Sequence, residues 1–208
     1  MSDLPPGWEW GQFSGVAEIA SNLVDPKDHG DAPHIAPNHV ESWTGRLLPF
    51  SSVSSDRVTS SKHRFFAGQL LYSKIRPYLA KVVKVDFNGL CSADMYPINS
   101  DIDRTFLKWW MLTPAFTEST REHQGRSLLP KINAAALAKL AIPVAPLAEQ
   151  RRIIEVLEDH LSRVDAGIRL IISSRQQRNR LMATILHDEL GMAGGRAGRP
   201  PRRRSRRN

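Results

Sequence analysis

Apolar residues follow two different patterns along this chain. Up to about residue 145 they come in short runs broken by Gly and Pro. Beyond it they recur at three- and four-residue spacing for some forty residues with no internal proline. The second pattern passes through Leu147, Gln150, Ile154, Leu157, Leu161, Val164, Ile168, Ile171, Arg175, Arg178, Met182, Ile185 and Glu189. Nine of these thirteen positions are apolar, which predicts a coiled-coil seam rather than one turn of amphipathic surface. At ~1.5 Å per residue the helix would run about 65 Å, longer than a small domain is wide, so its seam needs a partner helix. Pro146 suits the first helical position, Glu149 complements the helix dipole in the first turn, and Gly191 suits the stop. Gly167 inside the helix costs roughly 1 kcal/mol relative to alanine.

The first pattern predicts a mixed α/β domain. Residues 1–20 read as an entry segment with a short helix or turn at Val16–Ala20, and residues 22–64 as loop-rich with strands near His34–Ala36 and Leu47–Val53. Leu70–Ile75 and Tyr78–Phe87 read as strands, the second half-buried by its alternation, with Asn88-Gly89 a turn dipeptide. Ala93–Ile98 predicts a further strand. Asp103–Phe116 predicts one helix with Phe106, Leu107, Trp110 and Met111 inward, 117–131 a polar connector, and Ile132–Leu140 a short helix. The expected fold is therefore α+β: a mixed α/β domain over 1–145, a single long coiled-coil-type helix over 146–190, and a disordered basic tail over 191–208.

Composition changes this picture little, and charge less than it first suggests. An apolar content of 41% and a charged content of 24% are ordinary for a globular protein. No apolar run approaches the ~20 residues of a membrane span, and the N-terminus has no secretory-signal pattern. The single cysteine, Cys91, excludes an intramolecular disulfide. Together these point to a soluble protein of the reducing cytoplasm. Of the net charge of +8, seven units come from Arg196, Arg199, Arg202, Arg203, Arg204, Arg206 and Arg207, which leaves +1 for the rest. The arginine tail reads either as a phosphate-binding arm or as a basic extension with no specific role.

No catalytic constellation stands out. The sequence lacks the Asn/Asp-Pro-Pro-aromatic motif of amino-methylation, a glycine-rich loop for S-adenosylmethionine or nucleotide, and the acidic pattern of a metal-dependent nuclease. No cofactor, metal or catalytic residue is expected. His29, His34 and His39 stand five residues apart but have no helical register, so they read as surface or turn histidines. Cys91 reads as a small core residue, Trp110 as core and Trp109 as an interface residue. For double-stranded DNA the candidate contacts are Lys62, Arg64, Lys74, Arg76, Lys81, Gln124, Arg126, Ser127 and Lys131. Their cations can neutralise phosphates, Arg can grip guanine, and the polar groups can meet base edges. Each is otherwise a solvated strand-end or loop residue. Arg175 and Arg178, on the seam itself, either reach solvent or meet acids on a partner helix.

Four strings in order carry a resemblance: Leu4-Pro-Pro-Gly-Trp8; Phe66-Ala-Gly-Gln-Leu-Leu-Tyr-Ser-Lys-Ile-Arg-Pro-Tyr-Leu79; Cys91-Ser-Ala-Asp94; and Ile142-Pro-Val-Ala-Pro-Leu-Ala-Glu-Gln-Arg-Arg-Ile153. With the long helix after them, the chain resembles the specificity (S) subunit of type I restriction-modification systems. Gln69 departs from the acidic residue usual after that glycine. The chain also corresponds to one half of a subunit that otherwise carries two recognition domains and two helices. The resemblance implies a non-catalytic target-recognition domain that reads half of a split DNA site. It further implies a spacer helix that docks methyltransferase (M) subunits, with methylation and cleavage left to the M and restriction (R) subunits. A chain with one domain and one helix is expected to pair with a second copy of itself or with another S chain. A truncated remnant or a coiled-coil scaffold that no longer reads DNA is the alternative.

Overall fold

The computed structural model describes residues 4–122 and 129–189; residues 1–3, 123–128 and 190–208, among them the basic tail, lie outside it. In chain order the elements are β1 (Glu9–Gln12), α1 (Phe13–Val16), β2 (Ala17–Ile19), β3 (Leu23–Val24), β4 (Pro33–Ile35), β5 (Ser51–Ser52), β6 (Lys62–Phe65), β7 (Leu70–Ser73), β8 (Val82–Lys84), β9 (Gly89–Cys91) and β10 (Met95–Ser100). Then follow α2 (Arg104–Met111), α3 (Pro114–Arg121), α4 (Ala134–Ala138), β11 (Ala141–Val144) and α5 (Leu147–Glu189). The chain divides into two compact units, Met1–Val156 and Leu157–Asn208, so the first ten residues of α5 belong with the α+β domain.

Among the described residues, three sheets build the first unit. β1 and β11 pair antiparallel; β2-β10-β7-β8 form a four-stranded sheet; β3-β6-β9-β4-β5 form a five-stranded sheet with one parallel pair, β4 and β9. The period-2 alternation of β7 and β8 sends side chains to two separate cores. Leu70, Tyr72 and Val82 join Phe13, Leu107, Met111, Phe116 and Ile142 on the helix-covered face. Leu71 and Val83 join Ile35, Phe65, Cys91 and Met95 between the sheets. The central sheet is thus covered on both faces, each buried Leu, Val or Phe contributing about 1.5–3 kcal/mol relative to exposure.

That double burial corrects the half-buried reading of Tyr78–Phe87. Val82 and Val83 are both buried on opposite faces, and the strand proper spans only Val82–Lys84 after a 3-10 turn at Pro77–Leu79. The helix expected over Asp103–Phe116 is two. Asp103 caps α2 through the amides of Thr105 and Phe106; Pro114 cannot continue that helix and starts α3, capped by the Thr113 hydroxyl on the Phe116 amide. The connector expected from 117 is therefore helical to Arg121, with Thr117 and Thr120 buried. Val16–Ala20 is mostly strand, following a helical turn at Phe13–Val16. Gly89 opens β9 rather than making a turn. A Cβ there would lie 2.6 Å from the Phe65 ring and 2.6 Å from the Pro33 carbonyl, so close packing requires the glycine. Pro146 stands just before α5, its carbonyl accepting the Glu149 and Gln150 amides, one residue earlier than the first-turn position expected.

Gln69, where the family pattern has an acid, is buried in a polar chain. Its Oε1 accepts the Phe66 amide at 2.8 Å, its Nε2 donates to Asn99 Oδ1 at 2.9 Å, and Asn99 Nδ2 donates to Glu18 Oε1 at 2.8 Å. In the second unit α5 exposes Leu161, Val164, Ile168, Ile171, Met182 and Ile185, and off the seam Leu170, Ile172, Leu181 and Leu186. Among the described residues no helix is long and apolar enough to cross a membrane.

Candidate nucleic-acid interface

Three chain segments meet beside the end of β7. The chain leaves β7 through Lys74, whose amide donates to the Asp94 carbonyl at 3.0 Å and whose carbonyl accepts the Ile132 amide at 2.9 Å. Ile75 and Lys131 form an antiparallel bridge, and the Arg76 amide donates to the Pro130 carbonyl at 2.8 Å. Arg76 itself is left-handed (φ 46°, ψ 56°), as is Ala80 (φ 45°) on the other side of the Pro77–Leu79 turn. Two left-handed non-glycine residues around one turn cost of order 1–3 kcal/mol each, so the surrounding bonds hold this turn in place.

The third segment is the Pro37–His39 turn. Lys81 Nζ donates to the Pro37 carbonyl at 2.6 Å and ties this turn to the strand beside Arg76. Together Pro37, Asn38, Ser73, Ile75, Arg76, Leu79, Lys81 and Asp94 line a groove of about 310 Å³. Lys131 Nζ bridges Asp94 Oδ1 at 3.1 Å, and Lys74 Nζ lies 5.2 Å from the Tyr96 ring centre. Burial, then the Arg76 charge, lowers the Lys81 pKa. Two cations thus sit side by side at the groove with one acid, Asp94, already paired to Lys131.

The predicted DNA-contacting residues divide accordingly. Arg76 and Lys81 line the groove, and Lys74 and Lys131 flank it through their bonds to Asp94. Lys62 is buried, with its ammonium on the Ser60 carbonyl at 2.8 Å and hydroxyl at 2.7 Å, and burial lowers its pKa. Its bonds hold the start of β6, and its head group is not presented to solvent as expected. Arg64 is exposed on β6 with its guanidinium 5.0 Å from the Phe66 ring, outside the groove. Gln124, Arg126 and Ser127 lie outside the described residues. Asn38 and Asp94 were missed as site residues. Asp94 ends one of the quoted strings and could have been found there; Asn38, between Pro37 and His39, carries no sequence signal.

The other candidate chemistry resolves into structure. His34 Nδ1 pairs with Asp56 Oδ2 at 2.7 Å, and His39 Nδ1 accepts the Ala36 amide at 3.1 Å. Their rings meet edge-on at 6.3 Å. Among the described residues no cluster of three or more His, Cys, Asp or Glu could hold a metal. Cys91 is fully buried, and burial pushes its thiol up to about 12, which suits packing and not nucleophilic attack. Trp109 and Trp110 both pack at the edge of the helix-covered core; Trp110 meets Trp10 at 5.9 Å, and Lys108 Nζ lies 4.0 Å from the Trp109 ring.

Comparison with known proteins gives a consistent answer. The family described as type I restriction modification DNA specificity domain matches residues 5–170. The type I restriction enzyme EcoDI specificity subunit of Escherichia coli is 44% identical over 186 residues, which cover 89% of this chain and 42% of that protein. The HsdS subunit from Thermoanaerobacter tengcongensis superposes with a TM-score of 0.71 at 23% identity, over 90% of this chain and 50% of that one. A structure titled for complex assembly and conformational transition of the type I R-M system gives 0.72 at 21% identity, over 97% and 53%. These two likenesses bear on the fold alone. The chain spans about half the length, or less, of the relatives it matches.

Proposed function

The chain belongs to the type I restriction-modification DNA specificity family, and on that premise we propose that it is a non-catalytic, sequence-specific DNA-binding specificity subunit working in the cytoplasm. The first unit reads one half of a split target. It recruits methyltransferase subunits, and through the complex the restriction subunit, which carry the chemistry. The observation that carries the DNA reading is the Arg76–Lys81 groove, a cationic concavity held by backbone bonds from three loops. Cations on a fixed scaffold position a duplex through its phosphates and leave base edges to be read.

The spacer reading rests on α5. Its exposed seam from Leu157 to Ile185 suits burial against the same helix of a second copy, antiparallel, which sets two identical recognition domains about a two-fold axis. A palindromic split target follows from that symmetry. Co-expression with the cognate methyltransferase subunit, followed by mapping of methylated bases, tests this reading. A palindromic split motif supports it, an asymmetric one overturns the homodimer in favour of pairing with a different S chain, and absent methylation overturns the functional reading.

A further inference from the structure

We infer that Asn38, together with Arg76, is a specificity-determining residue: these two side chains take base edges of a duplex major groove while the surrounding lysines are left to its phosphates, with Asn38 setting the preference at one position of the half-site. The inference rests on the DNA-reading proposal and deepens it. The groove has five charged side chains in or beside it, and two of them are spent on one another, Asp94 on Lys131 at 3.1 Å. Lys81 has its ammonium on the Pro37 carbonyl at 2.6 Å, and Lys74 holds its ammonium 5.2 Å from the Tyr96 ring centre. What is left facing outward is the Asn38 carboxamide and the Arg76 guanidinium. Both are exposed, and neither has a side-chain hydrogen bond or ion pair among the described residues.

Those two groups are the ones whose geometry suits bases. A carboxamide offers one donor and one acceptor side by side and matches N6 and N7 of adenine. A guanidinium offers two parallel donors and matches O6 and N7 of guanine. A phosphate asks only for positive charge and gains nothing from a planar donor–acceptor pair such as the Asn38 carboxamide. The backbone supports the assignment. Lys81 and the Ala36 amide, bonded to His39 Nδ1 at 3.1 Å, fix the turn carrying Asn38 from both sides. The Pro130 carbonyl and the left-handed φ of 46° fix the start of the Arg76 side chain. Readers must be held by a rigid scaffold to discriminate, and these are.

The test compares the full chain with Asn38→Ala and Asn38→Asp, each co-expressed with the methyltransferase subunit, by mapping the methylated motif genome-wide. Melting curves check that the variants fold. The wild type is expected to give a defined motif. Asn38→Ala should relax one position per half-site, with about ten- to hundredfold less discrimination there. Asn38→Asp, which can only accept, should move that position toward cytosine. A defined wild-type motif that both variants leave unchanged, or methylation lost altogether in folded variants, overturns the inference alone. A wild type with no motif overturns the DNA-reading proposal beneath it.

Discussion

The Asp103 amide donates to Gln150 Oε1 at 2.9 Å, so the first turn of the long helix α5 is tied to the N-cap residue of α2. The other end of the same carboxamide donates to the Ala145 carbonyl at 2.8 Å, and the side chain is 3% exposed. Gln150 therefore belongs to the domain and not to the seam on which its spacing placed it. Replacing it by Leu keeps the bulk but leaves a buried donor and acceptor unpaired, which should cost about 2–4 kcal/mol. Urea denaturation of Gln150→Leu should show the midpoint falling accordingly, whereas Leu170→Ala, exposed on α5 off the seam, should leave it within error.

Gln69 makes a directional claim. The bonds run Gln69 to Asn99 to Glu18, each nitrogen donating onward. A carboxylate at 69 has no proton to donate, so Asn99 would have to turn and present its oxygen to Glu18. Gln69→Glu should destabilise by about 1–3 kcal/mol. Glu18→Gln in the same chain should recover much of the loss, because a carboxamide at 18 can donate back to Asn99. The double-mutant cycle measures this coupling; additive effects would refute the directional chain.

Arg76 separates binding from stability. Its left-handed backbone is costly for arginine and free for glycine. Arg76→Gly should leave the melting temperature unchanged or raise it slightly, while DNA affinity falls. If the side chain meets DNA through phosphate, the salt dependence of log affinity should lessen by about one unit of slope. If it reads a base, as inferred above, the loss should be confined to the preferred sequence.

His39 and His63 make the domain acid-sensitive. Burial lowers both pKa values from the usual 6.5, helped at His63 by the Lys74 charge and at His39 by His34, against the opposing pull of Asp56. The unfolded chain then binds more protons below about pH 6.5, so stability is full above that value and falls as the pH drops below it. Protonation would also put a hydrogen on His39 Nδ1, where the Ala36 amide now donates. Melting temperatures should be flat above pH 7 and decline toward pH 5. His39→Gln and His63→Gln should each flatten that decline.

How far the sequence carried depended on the range of the interaction concerned. The long helix was legible because a repeat of three and four residues is local, and β7 because its apolar run is. The break at Pro114 was equally local and was overlooked. The burial of β8 on both faces was not legible: Lys84 and Asp86 imitate a half-wet strand, and only the second sheet reveals what covers Val83 and Val85. The groove was half legible. A basic residue before a proline announces itself, but Lys62 spends its charge on Ser60 and Asn38 enters only through Lys81, a contact across forty-four positions.

In the proposed homodimer the seam arginines would answer the charge pattern of α5. Between 155 and 165 stand Glu155, Glu158, Asp159 and Asp165 against Arg163; between 169 and 180 stand Arg169, Arg175, Arg178 and Arg180 with no acid. A parallel pair would set arginines against arginines, whereas an antiparallel pair sets the basic half of one helix on the acidic half of the other. Like charges facing across a seam are destabilising, so orientation follows from this pattern. Ile168→Asp should reduce the mass by light scattering to that of one chain, because the seam loses an apolar position near its middle. Arg175→Glu with Arg178→Glu should weaken self-association without abolishing it. Raising salt from low to molar concentration should weaken the wild-type pair and spare or strengthen the double variant, since screening removes attraction in one and repulsion in the other. If salt affects both alike, the arginines face solvent and the orientation must come from elsewhere.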